Sequence, residues 1–204
     1  MIDARLAAPL RRLLGPPARA LDAAGLRADQ VTLAGFALGL GAFAAISLGA
    51  FGVGLALIAA NRLADGLDGA LARRQGPTDR GAFLDIALDF VFYALVPLGF
   101  ALADPGANAL AAAVLIAAFV GTGSSFLAFS AVAAGRGLRA EAFPAKGIYY
   151  LGGLTEGFET ILFFALICLF PAAFAPLAYG FAALCGLTTV SRWGMGWRAF
   201  DRRD

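Results

Sequence analysis

The chain has few of the residues from which zinc sites and thiol nucleophiles are built. Its 204 residues include no histidine and two cysteines, Cys168 and Cys185. Both cysteines lie in apolar stretches, so we predict that they are buried packing residues that form no disulfide. Because histidine is absent, a metal site away from these cysteines must use oxygen ligands, which favour Mg²⁺ or Mn²⁺ over zinc.

Charged residues are also scarce. They make up 15% of the chain, against about 25% in an average soluble protein. Hydrophobic residues make up 60%, and the mean hydropathy is +0.78. This composition excludes a separate soluble domain and indicates an integral membrane protein. No nucleic-acid partner is expected.

Apolar stretches long enough to cross a bilayer, which takes about 20 residues each, occur six times. They cover residues 31–50, 53–73, 78–103, 108–134, 153–170 and 176–193. The predicted fold class is therefore an all-α integral membrane protein with six transmembrane helices. We divide it into an amphipathic juxtamembrane segment, 1–30, and a transmembrane domain, 31–204, which ends in a short basic tail.

The first segment mixes leucines with arginines at approximately helical spacing. This pattern predicts an amphipathic helix in the membrane interface that ends at Gly15-Pro16-Pro17, with a second short helix over 18–24. A basic tail that only directs topology is the alternative. The segment lacks the apolar core of a cleavable signal, so none is expected.

The basic residues predict the orientation of the chain. The sixteen Lys and Arg lie in the N-terminal segment, near the 73–80 turn, in the 135–147 connection or near the C-terminus, if Arg62 is counted with the motif end of the second helix. The opposite connections contain a single charged residue, Asp104. The positive-inside rule then predicts that both termini and the end of the chain's helices that carries the 65–89 region, expected to be the active site, lie on the cytoplasmic side of a bacterial-type inner membrane.

Four acids interrupt the apolar pattern: Asp65, Asp68, Asp85 and Asp89. Spacings of three and four residues put each pair on one face of its helix, so two facing helices would bring all four together. Ionisable residues at membrane depth cost several kcal/mol each and usually mark functional sites. Divalent cations between the carboxylates would stabilise their ionised form. Two ions held close together also suit a displacement reaction at a phosphorus atom. The substrate is therefore expected to carry a phosphate or diphosphate.

Residues 65–73 read DGLDGALAR and residues 81–89 read GAFLDIALD. Together they resemble the signature of the CDP-alcohol phosphotransferase family, D-x-x-D-G-x-x-A-R followed by G-x-x-x-D-x-x-x-D. The family usually has eight residues between the two halves, whereas this chain has seven, 74–80. Both half-motifs are intact, so the shorter connection affects only loop contacts to the nucleotide.

The resemblance implies a reaction and roles for the acids. Two ions, Mg²⁺ or Mn²⁺, would be held by Asp65, Asp68 and Asp85 and by Asp65, Asp85 and Asp89. Asp89 would also be the general base that activates an acceptor alcohol, which attacks CDP-diacylglycerol and releases CMP. The family further implies a homodimer embedded in membrane lipid.

Positions that match the family's CDP-lipid contacts can also be assigned from the resemblance. They are Gly69, Ala72, Arg73 and Thr78, with Asp29 and Gln30 in a segment that resembles the family's approach to the first transmembrane helix. Helix capping alone is the alternative for Thr78 and Asp29. The small residues of the motif would let another backbone or a nucleotide approach closely.

The acceptor pocket is less well defined by the sequence. Lys146 and Arg192 would bind a phosphorylated acceptor such as glycerol 3-phosphate or inositol phosphate, although the positive-inside rule also explains them. Glu156 and Glu159 could instead select an amino-alcohol or a polyol, or could simply stabilise a helix N-terminus.

Two other classes of function fit the acidic cluster less well. A small cation carrier would need polar residues through the full membrane depth, and it often has two related halves, which this chain lacks. An inactive relative would have no reason to keep four costly acids.

Overall fold

The computed structural model describes residues 2–136 and 153–201, with side chains described from residue 13 onward. The described residues form helices joined by short connections, and they contain no strand. The helices are α1 (Ile2–Ala23), α2 (Ala28–Ser47), α3 (Phe51–Gln75), α4 (Asp79–Ala103), α5 (Pro105–Gly135), α6 (Gly157–Leu169) and α7 (Phe174–Phe200), with a 3₁₀ turn at Pro171–Ala173. The all-α prediction is confirmed.

Helices α2 to α7 follow the six predicted spans within a few residues at most ends. Four segments are long and apolar enough to cross a membrane: α2, α4, α5 and the combined stretch Pro171–Phe200. The charged motif lies within α3, and α6 has 13 residues, about 20 Å at 1.5 Å per residue. Six complete spans therefore remain a prediction.

The predicted break in the N-terminal segment is wrong. Helix α1 continues through Gly15-Pro16-Pro17 to Ala23, although the prolines cannot donate backbone hydrogen bonds. Packing on either side of Gly15-Pro16-Pro17 offsets the missing backbone hydrogen bonds, because Leu14 and Ala18 are both buried against Ala70 of α3. Contact with α3 thus holds one helix where the local sequence favours two. The interfacial location of α1 remains a prediction.

The end of the bundle that carries the half-motifs, here called the motif end, is held by polar contacts between helix termini. Gln75 at the end of α3 accepts a hydrogen bond from the Ala28 backbone and donates to Asp22 at 3.0 Å. This donation holds the pKa of the Asp22 carboxyl below its usual range. Asp29 of α2 pairs with Arg80 of α4. These contacts fix the positions at which α1 to α4 meet.

The opposite end is held by aromatic stacking. The ring of Phe100 at the end of α4 stacks between Phe51 of α3 and Phe174 of α7, with centroid distances of 5.1 and 4.5 Å. The apolar core continues from there toward the middle of the bundle and includes Cys168 and Cys185, which are both buried. The predicted burial of the cysteines is confirmed.

Glycines allow α2, α3 and α4 to approach closely. A Cβ at Gly54 of α3 would lie 2.5 Å from Ile46 Cγ1, and one at Gly99 of α4 would lie 3.0 Å from Ile46 Cγ2. Ile46 is completely buried, so it has no space into which to move. The α2–α3–α4 contact therefore requires small residues at these two positions.

We predict that Gly54→Leu destabilises the bundle by about 1–3 kcal/mol, the usual cost of overpacking a core. The matched control is Gly52→Leu, because a Cβ at Gly52 meets no atom within 4 Å. The thermal unfolding midpoints of the purified variants in detergent should separate the two. Equal midpoints would show that Ile46 gives way and that the close approach is not required.

Candidate active site at the α3–α4 crossing

The acids of the two half-motifs meet where α3 and α4 face each other. Asp65, Asp68 and Asp85 each offer a carboxylate oxygen, and these oxygens all lie within 4.8 Å of one another. Helical spacing explains the arrangement, since one turn separates the two acids on α3 and α4 approaches the same face. The predicted convergence of these three acids is confirmed.

A small cavity of about 20 Å³ lies beside the cluster. Its lining comes from α2, α3 and α4 and consists of Thr32, Gly35, Phe36, Asn61, Arg62, Asp65, Asp68, Asp85, Leu88, Asp89 and Phe92. A volume of about 10–15 Å³ is enough for one water-sized particle. Asp65 is ten residues from the motif end of α3, so the cavity lies about 15 Å inside the helix end at 1.5 Å per residue.

Asp89 lines this cavity and forms an ion pair with Arg62 of α3. Its Oδ1 accepts a hydrogen bond from Arg62 Nη2 at 2.8 Å. The same guanidinium lies 3.8 Å from Asp65 Oδ2 through Nη1. Arg62 therefore neutralises the deeper side of the cluster, one helical turn further from the motif end than Asp65.

Arg62 and its neighbour Asn61 are site residues that the sequence interpretation missed. Asn61 is buried and donates from Nδ2 to the Gly35 carbonyl of α2 at 2.8 Å, while its Oδ1 accepts from Arg62 Nε at 2.7 Å. Both residues could have been found from spacing. They precede Asp65 by four and three residues, which puts them on the same helix face.

The three converging carboxylates fit a hard divalent cation. Mg²⁺ and Mn²⁺ prefer oxygen ligands, and Mg²⁺ sites commonly combine a few carboxylates with substrate phosphates. Asp68 is 6% exposed, so an ionised carboxylate there requires a cation or a donor nearby. The chemistry of these donors thus agrees with the metal dependence that the sequence predicts.

The positions assigned to the CDP-lipid all lie toward the motif end. Gly69 and Arg73 are neighbours, because a Cβ at Gly69 would lie 3.5 Å from Arg73 Nη1, and Ala72 precedes Arg73 on α3. Thr78 caps α4 by accepting a hydrogen bond from the Gly81 amide at 3.0 Å. Thr78 is therefore a helix cap, and the prediction that it also contacts the nucleotide stays a prediction.

Asp29 and Gln30 lie in the first turn of α2, next to the start of α4. The cap of α2 is Arg27, whose amide donates to Gln30 Oε1 at 2.9 Å, so Asp29 is not the cap that one alternative expected. Its carboxylate pairs with Arg80 and lies over Gly81, where a Cβ would be 3.3 Å from Oδ1. Asp29 therefore connects α2 to the beginning of the second half-motif.

The small residues of the first half-motif, 65–73, allow helix α1 to pack closely against α3. A Cβ at Gly66 would lie 2.7 Å from Leu14 Cδ1 of α1, and Ala70 packs against Leu14 and Ala18. The neighbour of Gly66 is thus a side chain of α1, and not the backbone or nucleotide that the sequence led us to expect there. Helix α1 thus covers one side of the motif helix.

Comparison with known proteins agrees with this geometry. A protein-family model described as CDP-alcohol phosphatidyltransferase matches residues 26–194, which is most of the chain. The chain belongs to the CDP-alcohol phosphatidyltransferase family. The resemblance inferred from the two half-motifs is confirmed, and so is the prediction of a membrane-embedded phosphotransferase of phospholipid biosynthesis.

Two of the three relatives described here, one known by sequence and one by structure, cover nearly the whole chain. The inner membrane protein YnjF of Escherichia coli is 54% identical over 192 residues, 94% of this chain and 93% of its own length. An archaetidylinositol phosphate synthase of Methanothermobacter thermautotrophicus is 41% identical over 91 residues, 44% of this chain and 45% of its own. The crystal structure of Mycobacterium tuberculosis phosphatidylinositol phosphate synthase with CDP-DAG bound superposes with a TM-score of 0.73 at 25% identity. It covers 95% of this chain and 99% of the solved one.

The acceptor candidates of this phosphatidyltransferase occupy different environments. Arg192 of α7 is buried and donates from Nη1 to the Thr122 carbonyl of α5 at 3.0 Å. The next residue, Gly123, lies against Phe90, because a Cβ there would be 2.5 Å from Phe90 Cε1. Arg192 therefore packs at the α5–α7 contact, and it is not among the residues that line the cavity. Lys146 lies outside the described residues.

Glu156 and Glu159 both interact with backbone amides at the start of α6. Glu156 Oε1 accepts from the Gly153 amide at 2.9 Å, and Glu159 Oε2 accepts from the Glu156 amide at 3.1 Å. These contacts support the helix-terminus explanation. A role in acceptor binding remains a prediction for both.

We predict that Asp68→Ala weakens Mn²⁺ binding at least about tenfold, or ~1.4 kcal/mol, because it removes one of three converging carboxylates. Titration of purified protein with Mn²⁺, followed through the electron paramagnetic resonance signal of the free ion, measures this directly. Asp79→Ala is the matched control, since Asp79 is an exposed acid at the first turn of α4. An unchanged dissociation constant in Asp68→Ala would remove Asp68 from the ligand set.

Proposed function

We propose that the protein transfers the phosphatidyl group of CDP-diacylglycerol to a phosphorylated polyol and releases CMP. The observation that carries this proposal is the convergence of Asp65, Asp68 and Asp85 on two helices that together present the complete family motif. A solved relative of the same fold binds CDP-DAG, and another structure of it holds manganese and citrate.

The donor is proposed to enter from the motif end. Its diphosphate would reach the carboxylate group through one or two Mg²⁺ or Mn²⁺ ions, which supply positive charge to phosphoryl oxygens when bound. Gly69, Ala72 and Arg73 of α3 would bind the cytidine side, with Thr78, Asp29 and Gln30 at the adjoining helix termini. Arg73 suits a phosphate because its guanidinium offers a planar pair of donors.

Asp89 is proposed to accept the proton of the acceptor hydroxyl. The hydroxyl oxygen then forms a bond to the β-phosphorus, and the bond from that phosphorus to the oxygen that bridges to CMP breaks. A general base must lie within hydrogen-bond reach of the proton that it takes. Asp89 lines the cavity beside the other three acids, which supports the proposal that it acts there as the base.

The acceptor is proposed to be phosphorylated. Two relatives are named for products that contain an inositol phosphate, which supports this class of acceptor. Buried Arg192 could meet a phosphate with charge-assisted hydrogen bonds, together with Lys146 from the connection before α6. A free amino-alcohol or polyol, selected by Glu156 and Glu159, is the alternative that the acceptor assay would detect.

The protein is proposed to lie in a bacterial inner membrane with the motif end in the cytoplasm. Its relative YnjF is named as an inner membrane protein, and the basic residues collect toward the motif end. This orientation would expose the site to soluble acceptors and let CMP leave into the cytosol. A homodimer, as the family resemblance implies, remains a prediction.

The direct test of the proposed function is CMP release by purified protein supplied with CDP-diacylglycerol, Mn²⁺ or Mg²⁺ and a panel of acceptors. We expect turnover with a phosphorylated polyol, and we expect Asp89→Asn to lower it at least about a hundredfold, the usual contribution of a general base. Donor binding should survive the substitution. Turnover at the wild-type rate in Asp89→Asn would exclude Asp89 as the base.

Substitution of Arg192 tests the acceptor proposal. We expect Arg192→Ala to raise the acceptor KM about ten- to a hundredfold, about 1.4 kcal/mol for each factor of ten, with little change in the donor KM. Arg198→Ala, at an exposed arginine two turns further along α7, is the control. The thermal unfolding midpoints of Arg192→Ala and the wild type should be compared, because Arg192 also donates a hydrogen bond to the Thr122 carbonyl. Equal increases in both KM values would indicate structural damage instead of acceptor binding.

Reporter fusions test the orientation. A reporter placed after residue 204 should behave as cytoplasmic, and one inserted near Asp104, between α4 and α5, should behave as periplasmic. A periplasmic C-terminus would put the motif end on the side away from cytosolic acceptors and would contradict the proposed orientation.

A further inference from the structure

A chain of hydrogen bonds runs from α2 through α3 to the Asp89 carboxylate of α4. Asn61 Nδ2 donates to the Gly35 carbonyl at 2.8 Å, and Asn61 Oδ1 accepts from Arg62 Nε at 2.7 Å. Arg62 Nη2 then donates to Asp89 Oδ1 at 2.8 Å. Three helices are therefore connected at the residue that the proposed function assigns as the general base.

The direction of each bond in this chain is fixed by the chemistry of its members. A carbonyl only accepts and a guanidinium only donates, so the residue between them must supply one donor and one acceptor. The amide of Asn61 has both, whereas aspartate lacks the donor and leucine lacks both groups. Asn61 is 4% exposed, so a polar group left without its partner there would stay unsatisfied.

Close packing holds the amide and the guanidinium in place. A Cβ at Gly39 of α2 would lie 3.5 Å from Asn61 Nδ2 and 2.8 Å from Phe92 Cδ2, so α2 approaches both side chains closely. Arg62 Cζ lies 4.8 Å from the ring centre of Phe92, which is fully buried. The guanidinium thus has the amide at Nε, the aromatic ring at its side and the carboxylate of Asp89 at Nη2, which together fix its direction.

We infer that Asn61 is a positioning residue for the transfer reaction: it orients Arg62, which in turn holds the Asp89 carboxylate at the cavity. Arg62 bonds to one oxygen of Asp89, and a carboxylate accepts at both of its oxygens, so this contact is compatible with a role as base or as metal ligand. Positioning matters because a misplacement of about 1 Å can cost about a hundredfold in rate. The inference deepens the proposed function and rests on Asp89 acting as its base.

The first measurement compares CMP release by Asn61→Leu and by Asn108→Leu, both purified as full-length chains. Asn108 is the matched control, because it is a second buried asparagine that donates to a backbone carbonyl, that of Phe100 at 3.1 Å, at the opposite end of the bundle. Asn61→Leu should lower kcat about ten- to a hundredfold and leave the donor KM within about twofold of the wild type. Asn108→Leu should keep the wild-type kcat. Wild-type kcat in Asn61→Leu, or an equal loss in Asn108→Leu, would overturn the inference.

Arg62→Lys tests the same chain without changing the amide. Lysine keeps the positive charge but lacks the planar fork that joins Asn61 to Asp89. We expect kcat to fall at least about tenfold, again with little change in the donor KM. Wild-type kcat in this variant would overturn the inference even if Asn61→Leu failed to fold.

A third measurement needs neither metal nor turnover. The thermal unfolding midpoints of the wild type, Asn61→Leu, Asp89→Asn and the double variant, all measured with EDTA, form a double-mutant cycle. Because the two side chains are connected through Arg62, the shift caused by Asp89→Asn should differ by at least about 2 °C between the wild-type and Asn61→Leu backgrounds. The corresponding shifts with Asn108→Leu should add. Additive shifts for Asn61→Leu and Asp89→Asn would contradict the inferred connection.

The outcomes also distinguish the inference from the proposed function. A wild type that releases no CMP with any acceptor would overturn the transferase and with it the role of Asp89 as base, whereas the unfolding midpoints would still show whether Asn61 and Asp89 are connected. An active wild type with additive midpoints would overturn the role of Asn61 and leave the transferase intact.

Discussion

The structure depends on keeping four carboxylates charged inside an apolar bundle. Each ionised acid at this depth costs several kcal/mol unless a cation or a set of donors compensates it. The protein provides part of that compensation itself through Arg62, which contacts Asp89 and Asp65. Asp65, Asp68 and Asp85 together bring three carboxylate oxygens within 4.8 Å of one another, which suits a divalent cation.

The surrounding helices serve this arrangement. Close packing through Gly54 and Gly99 brings α2, α3 and α4 together, so that their polar faces enclose one cavity. Phe92 lines that cavity and also belongs to the apolar core, so it lies where the two meet. Helix α1 covers the motif helix through Leu14, and polar contacts with Gln75 hold its end.

Much of this could be predicted from the sequence because the motif is local. Helical spacing alone places Asp65 with Asp68 and Asp85 with Asp89, and charge scarcity marks them as functional. The role of Arg62 could not be predicted in the same way, since it depends on which acid of α4 the guanidinium reaches. The path of α1 through Pro16-Pro17 was mispredicted because tertiary packing overrode a local signal. The acids Glu156 and Glu159 looked exceptional in sequence, yet both accept hydrogen bonds from backbone amides.

The central claim is that the converging carboxylates bind the donor's diphosphate through divalent cations. The most direct measurement is the affinity of CDP-diacylglycerol for the protein in lipid nanodiscs, with Mn²⁺ and with EDTA, for the wild type and for Asp85→Ala. The account predicts that chelation weakens donor binding at least about tenfold in the wild type. It also predicts that Asp85→Ala binds CDP-diacylglycerol weakly both with Mn²⁺ and with EDTA. Equal donor affinity with and without the divalent ion would contradict it.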